Sequence, residues 1–190
     1  MLSSEQKDYI MKHLRRPEND ADIAKIAYEI AQKHGKVSPD MAFVTATLMN
    51  LGETDPRIAY IYDKDFNWKE HPEAIGLNKM HGEYSVEMAE SIGISLTDEQ
   101  KQVISGHCRG EYVSELGQII KIAEVCRATE QPRWFRGEKK EAAKAWDEVE
   151  SVLKEDKDLL PEMIEVAKKS YGKSRFKELA RDVEDGEISE

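Results

Sequence analysis

The run Ile119-Ile120-Lys121-Ile122-Ala123-Glu124-Val125-Cys126 constrains this chain more than any other stretch. A helix that is apolar on nearly every side cannot face water, so other elements must wrap it. The sequence around it supplies helices for that purpose. Ser3 followed by Gln6 resembles a capping box, after which Tyr9, Ile10 and Leu14 give a short apolar face ending near Arg16-Pro17. Ile23, Ile26, Ala27, Ile30 and Ala31 recur at spacings of three and four up to the stop signal His34-Gly35. Ser38-Pro39 reads as a cap with proline at the first helical position, opening a helix through Phe43, Val44, Thr47, Leu48 and Leu51 that stops at Gly52.

Periodicity then fails from Thr54 to about Pro72, where Asp55-Pro56, Asp63, Asp65, Asn67 and His71-Pro72 favour turns. It resumes with Ile75, Leu77 and Met80, runs through Met88, Ala89 and Ile92, and breaks at Gly93. Thr97 with Gln100 is a second capping box, ahead of Val103, Ile104 and His107. Beyond Gln131-Pro132 the spacing predicts helices over 139–153 and 160–170, then a charged helix over 173–182 and a frayed tail. Residues 1–172 therefore read as one all-α bundle, with 173–190 as its appendage and roughly eight to ten helices in all.

Hydrophobic residues make up 39% of the 190 and charged residues 35%, polar for a globular chain but enough for a core because the apolar residues keep helical register. The formal charge of −10 disfavours unassisted capture of a polyanion, so nucleic acid is not an expected partner. Cys108 and Cys126, the only cysteines, match neither a disulfide framework nor a paired-thiolate zinc spacing. With no basic-then-apolar N-terminal pattern and no run of eighteen apolar residues, the expectation is a soluble, cytoplasmic chain that does not enter a membrane.

No phosphate-binding glycine loop, metalloprotease helix or Gly-x-Ser-x-Gly elbow occurs, so histidine and carboxylate must carry any chemistry. His81 and His107 sit on separate predicted helices beside apolar residues that turn them inward, and Glu124 interrupts the most buried helix. A carboxylate there costs several kcal/mol unless paired or bound to metal. Two imidazoles and a carboxylate converging between helices fit a transition metal. The plainer alternative makes the histidines hydrogen-bonded core or surface residues and pairs Glu124 with Arg127 or Arg109. Cys108 is either a thiol ligand or a small buried apolar residue. Arg133, Arg136, Lys139 and Lys140, interleaved with Trp134 and Phe135, either hold a phosphate or are a solvated cluster.

The order of these segments resembles the HD-GYP branch of the HD metal-dependent phosphohydrolases. Ile122-Ala123-Glu124-Val125, followed by Gln131-Pro132-Arg133-Trp134-Phe135-Arg136, is similar to that family's Ile-Ala-Asp-Val and Arg-Pro-Tyr-Arg segment. Met80-His81-Gly82-Glu83 resembles its His-Pro-Glu-x-Gly helix, and His107-Cys108 falls where the family has a histidine pair. Leu160-Pro161-Glu162-Met163-Ile164 looks like its closing Asp-Pro-Glu-Val-Val helix. The likeness spans about residues 17–170 and implies an all-α fold holding two or three metal ions that cleave cyclic dinucleotides.

Carried over residue by residue, the resemblance implies a depleted site. Asn19 stands near the expected first histidine, and Asn50 and Leu51 stand where the His-Asp pair should be. Glu124 replaces an aspartate, Glu53 or Thr54 replaces a lysine, and Gly110-Glu111-Tyr112-Val113 is the nearest remnant of the Gly-Tyr-Pro signature. Leucine cannot bridge cations. The expectation is therefore a non-hydrolytic ligand-binding or regulatory module with no cofactor, partnered by a small phosphorylated ligand or a protein. Arg109, Arg133 and Arg136 are the candidate phosphate contacts. The alternative is a phosphohydrolase with an atypical site of His81, His107, Glu124 and Asn50 around a divalent Fe or Mn ion.

Overall fold

The computed structural model describes the backbone of residues 2–135 and 146–172, and the side chains of residues 2–128 and 146–170. Helices α1 (Ser4–His13), α2 (Pro17–His34) and α3 (Pro39–Leu48) lead into short 3-10 turns at Leu51–Thr54 and Ala59–Tyr62. Then come α4 (Ala74–Asn78), α5 (His81–Ser91) and α6 (Asp98–Gly106), a 3-10 turn at His107–Arg109, and α7 (Glu115–Phe135). α8 (Trp146–Glu155) and α9 (Pro161–Ala167) follow, and the described residues contain no strand. The all-α expectation holds. No described helix is long and apolar enough to cross a membrane.

Local chemistry sets many of the helix ends. In α1 and α6, Ser3 and Thr97 accept from the backbone of Gln6 and Gln100, whose side chains accept from the cap amides in return. Gly35 closes α2 at φ 80°, a left-handed conformation that a Cβ would strain. α3 stops at Leu48, sooner than its apolar pattern predicts, because the chain tightens into the 3-10 turn that contains Gly52. The pattern from Ile75 to Ile92 is divided at Lys79-Met80 into α4 and α5. α7 continues past Gln131-Pro132, the expected stop. The helix expected over 139–153 is described from Trp146 onward, and that over 173–182 lies outside the described residues.

α7 is the axis of the core, packed against α2, α3, α6, α8 and α9. Leu116, Ile119, Ile120, Ile122, Ala123 and Cys126 are fully buried on it. Each isoleucine removed from water contributes about 1.5–3 kcal/mol before entropy is counted. One apolar cluster runs from Ile10 on α1 to Ala167 on α9. A second, smaller cluster holds the irregular segment: Ile58, Ile61 and Ala74, with Tyr62, Phe66, Leu77 and Tyr84 against them. That satellite explains how a stretch without periodicity is ordered enough to bring Tyr62 to α5.

Candidate metal centre

Two glycines place the histidines. A Cβ on Gly52 would lie 2.1 Å from the His81 carbonyl oxygen, and one on Gly82 would lie 2.4 Å from the Ile104 carbonyl oxygen. Only a hydrogen fits at either contact. α5 is thereby pressed between the first 3-10 turn and the end of α6. Ser85 locks the same corner, donating to the Met49 carbonyl and accepting from the Gly52 amide, both at 2.8 Å. His81 begins α5 and His107 ends α6, so the two imidazoles meet where these helices cross.

Their meeting is close and oriented. His81 Nε2 and His107 Nε2 are 3.0 Å apart, and both residues are buried. His81 Nδ1 lies 2.7 Å from the Asn78 carbonyl, and His107 Nδ1 lies 2.6 Å from the Ile104 carbonyl. A carbonyl can only accept, which assigns the proton of each neutral ring to Nδ1 and leaves a bare lone pair on each Nε2. Tyr62 supports this arrangement, its hydroxyl donating to Asn78 Oδ1 at 2.7 Å and lying 3.1 Å from His81 Nδ1. Burial lowers both imidazoles to about 4, and the proximity of His107 depresses His81 further. At neutral pH, two uncharged lone pairs therefore face each other.

Cys108 closes the group. Its Sγ is 3.1 Å from His81 Nε2 and 3.5 Å from His107 Nε2, and among the described residues these three form the one cluster of metal-type side chains. Burial pushes its thiol up to about 12 in the absence of a cation. Its sulfur lies against nitrogens, surroundings that suit the thiol-ligand alternative.

Glu124 is placed differently from the expected ligand. It stands outside the His81, His107 and Cys108 group, and its Oε2 is 2.6 Å from the Tyr112 hydroxyl, which also reaches the His107 carbonyl at 3.2 Å. The expected arginine partners are engaged elsewhere: Arg127 with Asp22, and Arg109 with Glu83 and Glu111. Burial raises the Glu124 carboxyl to about 7, only partly offset by Tyr112. A neutral Glu124 can donate its own proton to Tyr112, freeing the phenol for the His107 carbonyl. The phenol is itself raised well above its usual range by burial and by this carboxylate.

Asn50 donates to Asp20 Oδ1 at 2.9 Å, so its amide is turned toward a carboxylate. Asp20 is buried on α2 and raised by desolvation, an effect that hydrogen bonding from Asn50 and the charge of Arg16 only reduce. Asn19 lies weakly against the same carboxylate at 3.5 Å, while Leu51 is fully buried in the apolar core. Glu53 is buried beneath Arg16, 2.9 Å away, with Arg15 at 3.7 Å. Sequence reasoning missed Asp20, although it shares the α2 apolar stripe with Ile23, Ala24 and Ala27, an interruption of the same kind as Glu124. The side chains of Arg133 and Arg136 lie outside the described residues, and Arg109, held by two carboxylates, is not poised for a phosphate.

The arrangement thus offers two imidazole nitrogens and a sulfur at one point, with buried carboxyls, raised by desolvation, to one side. No protein-family model matches this chain, and neither a curated protein nor a solved structure matches it.

Proposed function

We propose that this protein is an HD-type helical scaffold that has given up phosphodiester hydrolysis and serves as a ligand-binding or regulatory module. The observation that carries the reading is Leu51, wholly buried in apolar surroundings at the position where the resemblance calls for a bridging aspartate. Its neighbour Asn50 spends its amide on Asp20. Two-metal hydrolysis needs anionic ligands that hold both cations and lower the pKa of a bound water. Here Asp20 accepts from Asn50, and Glu124 is engaged with the Tyr112 hydroxyl.

The test is turnover of bis-para-nitrophenyl phosphate by the full chain in added Mn²⁺ or Fe²⁺. Release of nitrophenol no faster than in protein-free buffer is the expected result. Turnover that disappears in His107→Ala would overturn the reading and assign the protein to the phosphohydrolases.

A further inference from the structure

We propose that His81 Nε2, His107 Nε2 and Cys108 Sγ form a binding site for a single thiophilic divalent cation of the zinc class. This goes beyond the functional reading and does not depend on it. The first support is orientation. Each ring gives its Nδ1 proton to a backbone carbonyl, so both Nε2 lone pairs point at the same small volume, 3.0 Å apart. Two neutral acceptors at that distance repel unless a proton or a cation lies between them. A ligating histidine fixed through its other nitrogen by a carbonyl is the usual support for a metal-bound imidazole.

The second support is distance. With Zn–N bonds of about 2.0 Å and Zn–S bonds of about 2.3 Å, tetrahedral angles put two nitrogens about 3.3 Å apart and nitrogen and sulfur about 3.5 Å apart. The separations here are 3.0 Å between the nitrogens and 3.1 Å from sulfur to His81 Nε2, while the sulfur lies 3.5 Å from both ring nitrogens of His107. The nitrogens need to part by only a few tenths of an ångström, and rotation of the Cys108 side chain about its Cα–Cβ bond swings the sulfur from the side of the His107 ring to the focus the two nitrogens share. The third support is rigidity: Gly52 and Gly82 fix the α5 corner against backbone on both sides, so His81 does not need to be recruited from a mobile segment.

The donor set also selects the metal. A thiolate with two imidazoles favours zinc and its softer neighbours over Mn²⁺ or Mg²⁺, which prefer oxygen. Binding is a ligand exchange: the cation gains the Cys108 sulfur, whose proton leaves to solvent, and three protein donors leave one coordination position for water or another small donor.

Chelator-stripped full chain titrated with Co²⁺ tests this directly. We expect one Co²⁺ per chain, visible bands of tetrahedral intensity, a near-ultraviolet thiolate-to-cobalt charge-transfer band, and displacement of all three signals by equimolar Zn²⁺. Cys108→Ser should abolish the charge-transfer band and weaken binding by at least about 10-fold, and His81→Asn should weaken it by about 100-fold or more. Cys108 is only half-buried, so its serine variant is expected to fold even if a histidine variant does not, as circular dichroism would verify. Native folded chain that shows no charge-transfer band, or a band that persists in Cys108→Ser, overturns the site. Nitrophenol release would instead overturn the non-hydrolytic reading and leave this one standing.

Discussion

His81 and His107 stand at helix ends clamped by glycines, whereas Asp20 and Glu124 are embedded in the apolar stripes of α2 and α7. Burial disfavours the charged form of both groups, but their surroundings differ. The imidazoles are held neutral with their lone pairs converging on one point, a geometry open to a cation. The carboxyls are raised by desolvation and hydrogen-bonded to single neighbours, Asn50 for Asp20 and Tyr112 for Glu124. Burial alone therefore does not make a ligand. What separates the two regions is whether the electron pairs share one focus.

The largest effect should come from the corner that creates the histidine geometry. Gly52→Ala forces a Cβ to within 2.1 Å of the His81 carbonyl, with the Ser85 amide next at 2.7 Å, and backbone on that side cannot move aside cheaply. We expect a loss of about 3 kcal/mol or more, read as a fall in Tm or in denaturant midpoint. An unchanged midpoint would mean that α5 is free to shift and that the histidines are not pinned.

Glu124→Gln sharpens the carboxylate side and has a definite pH signature. A carboxyl raised from 4.5 to about 7 binds more protons folded than unfolded between those values. Its contribution to stability is complete below about pH 4.5 and is lost as pH rises through 7. Glutamine does not titrate and still offers Tyr112 an acceptor. The variant should therefore match the native protein near pH 4.5 and exceed it near pH 8, by on the order of 3 kcal/mol. Paired melts across that range measure it, and an advantage that shrinks toward alkaline pH would show an ionised, well-partnered Glu124. Glu124→Leu is the poorer choice because it strips Tyr112 of its carboxyl partner.

Tyr112→Phe should cost less, about 1–2 kcal/mol, because one hydroxyl serves two acceptors and neutral Glu124 still keeps its proton. It tests whether the carboxyl depends on the phenol. If so, the apparent titration of Glu124 moves further upward, observable by carboxyl infrared absorption. A downward shift would mean that the phenol was not stabilising the carboxylate.

The extent to which these regions were legible in the sequence follows from what each depends on. Both capping boxes, the Gly35 stop and the buried helix through Ile119–Cys126 are local chemistry, and each reads directly from a few neighbouring residues. The pairing of His81 with His107 was foreshadowed by the apolar residues beside each. Cys108 was open as a thiol ligand, but its closeness to His81 was hidden, because adjacent residues on a helix point about 100° apart and the contact depends on the chain leaving α geometry at Gly106. The contact of Gly52 with the His81 carbonyl was equally hidden. Glycine in a sequence marks a turn or a close approach without naming the partner.

Arg109 supplies the smallest effect and the control for both regions. It is next to Cys108 in sequence and was a candidate for phosphate, yet its guanidinium lies between Glu83 and Glu111 on a solvent-facing surface. All three side chains are about one-third to one-half exposed, so water and salt screen the pairs and side-chain entropy offsets much of the attraction. Arg109→Ala should change stability by less than about 1 kcal/mol at low salt and by nearly nothing at 1 M NaCl. It should also leave the Co²⁺ spectrum unaltered, because nothing in its hydrogen bonding reaches His81, His107 or Cys108. A Tm shift as large as that of Tyr112→Phe, or a loss of the cobalt bands, would mean that the Glu83–Arg109–Glu111 bridge braces the metal corner from outside. The division between a clamped histidine region and an independent surface would then be wrong.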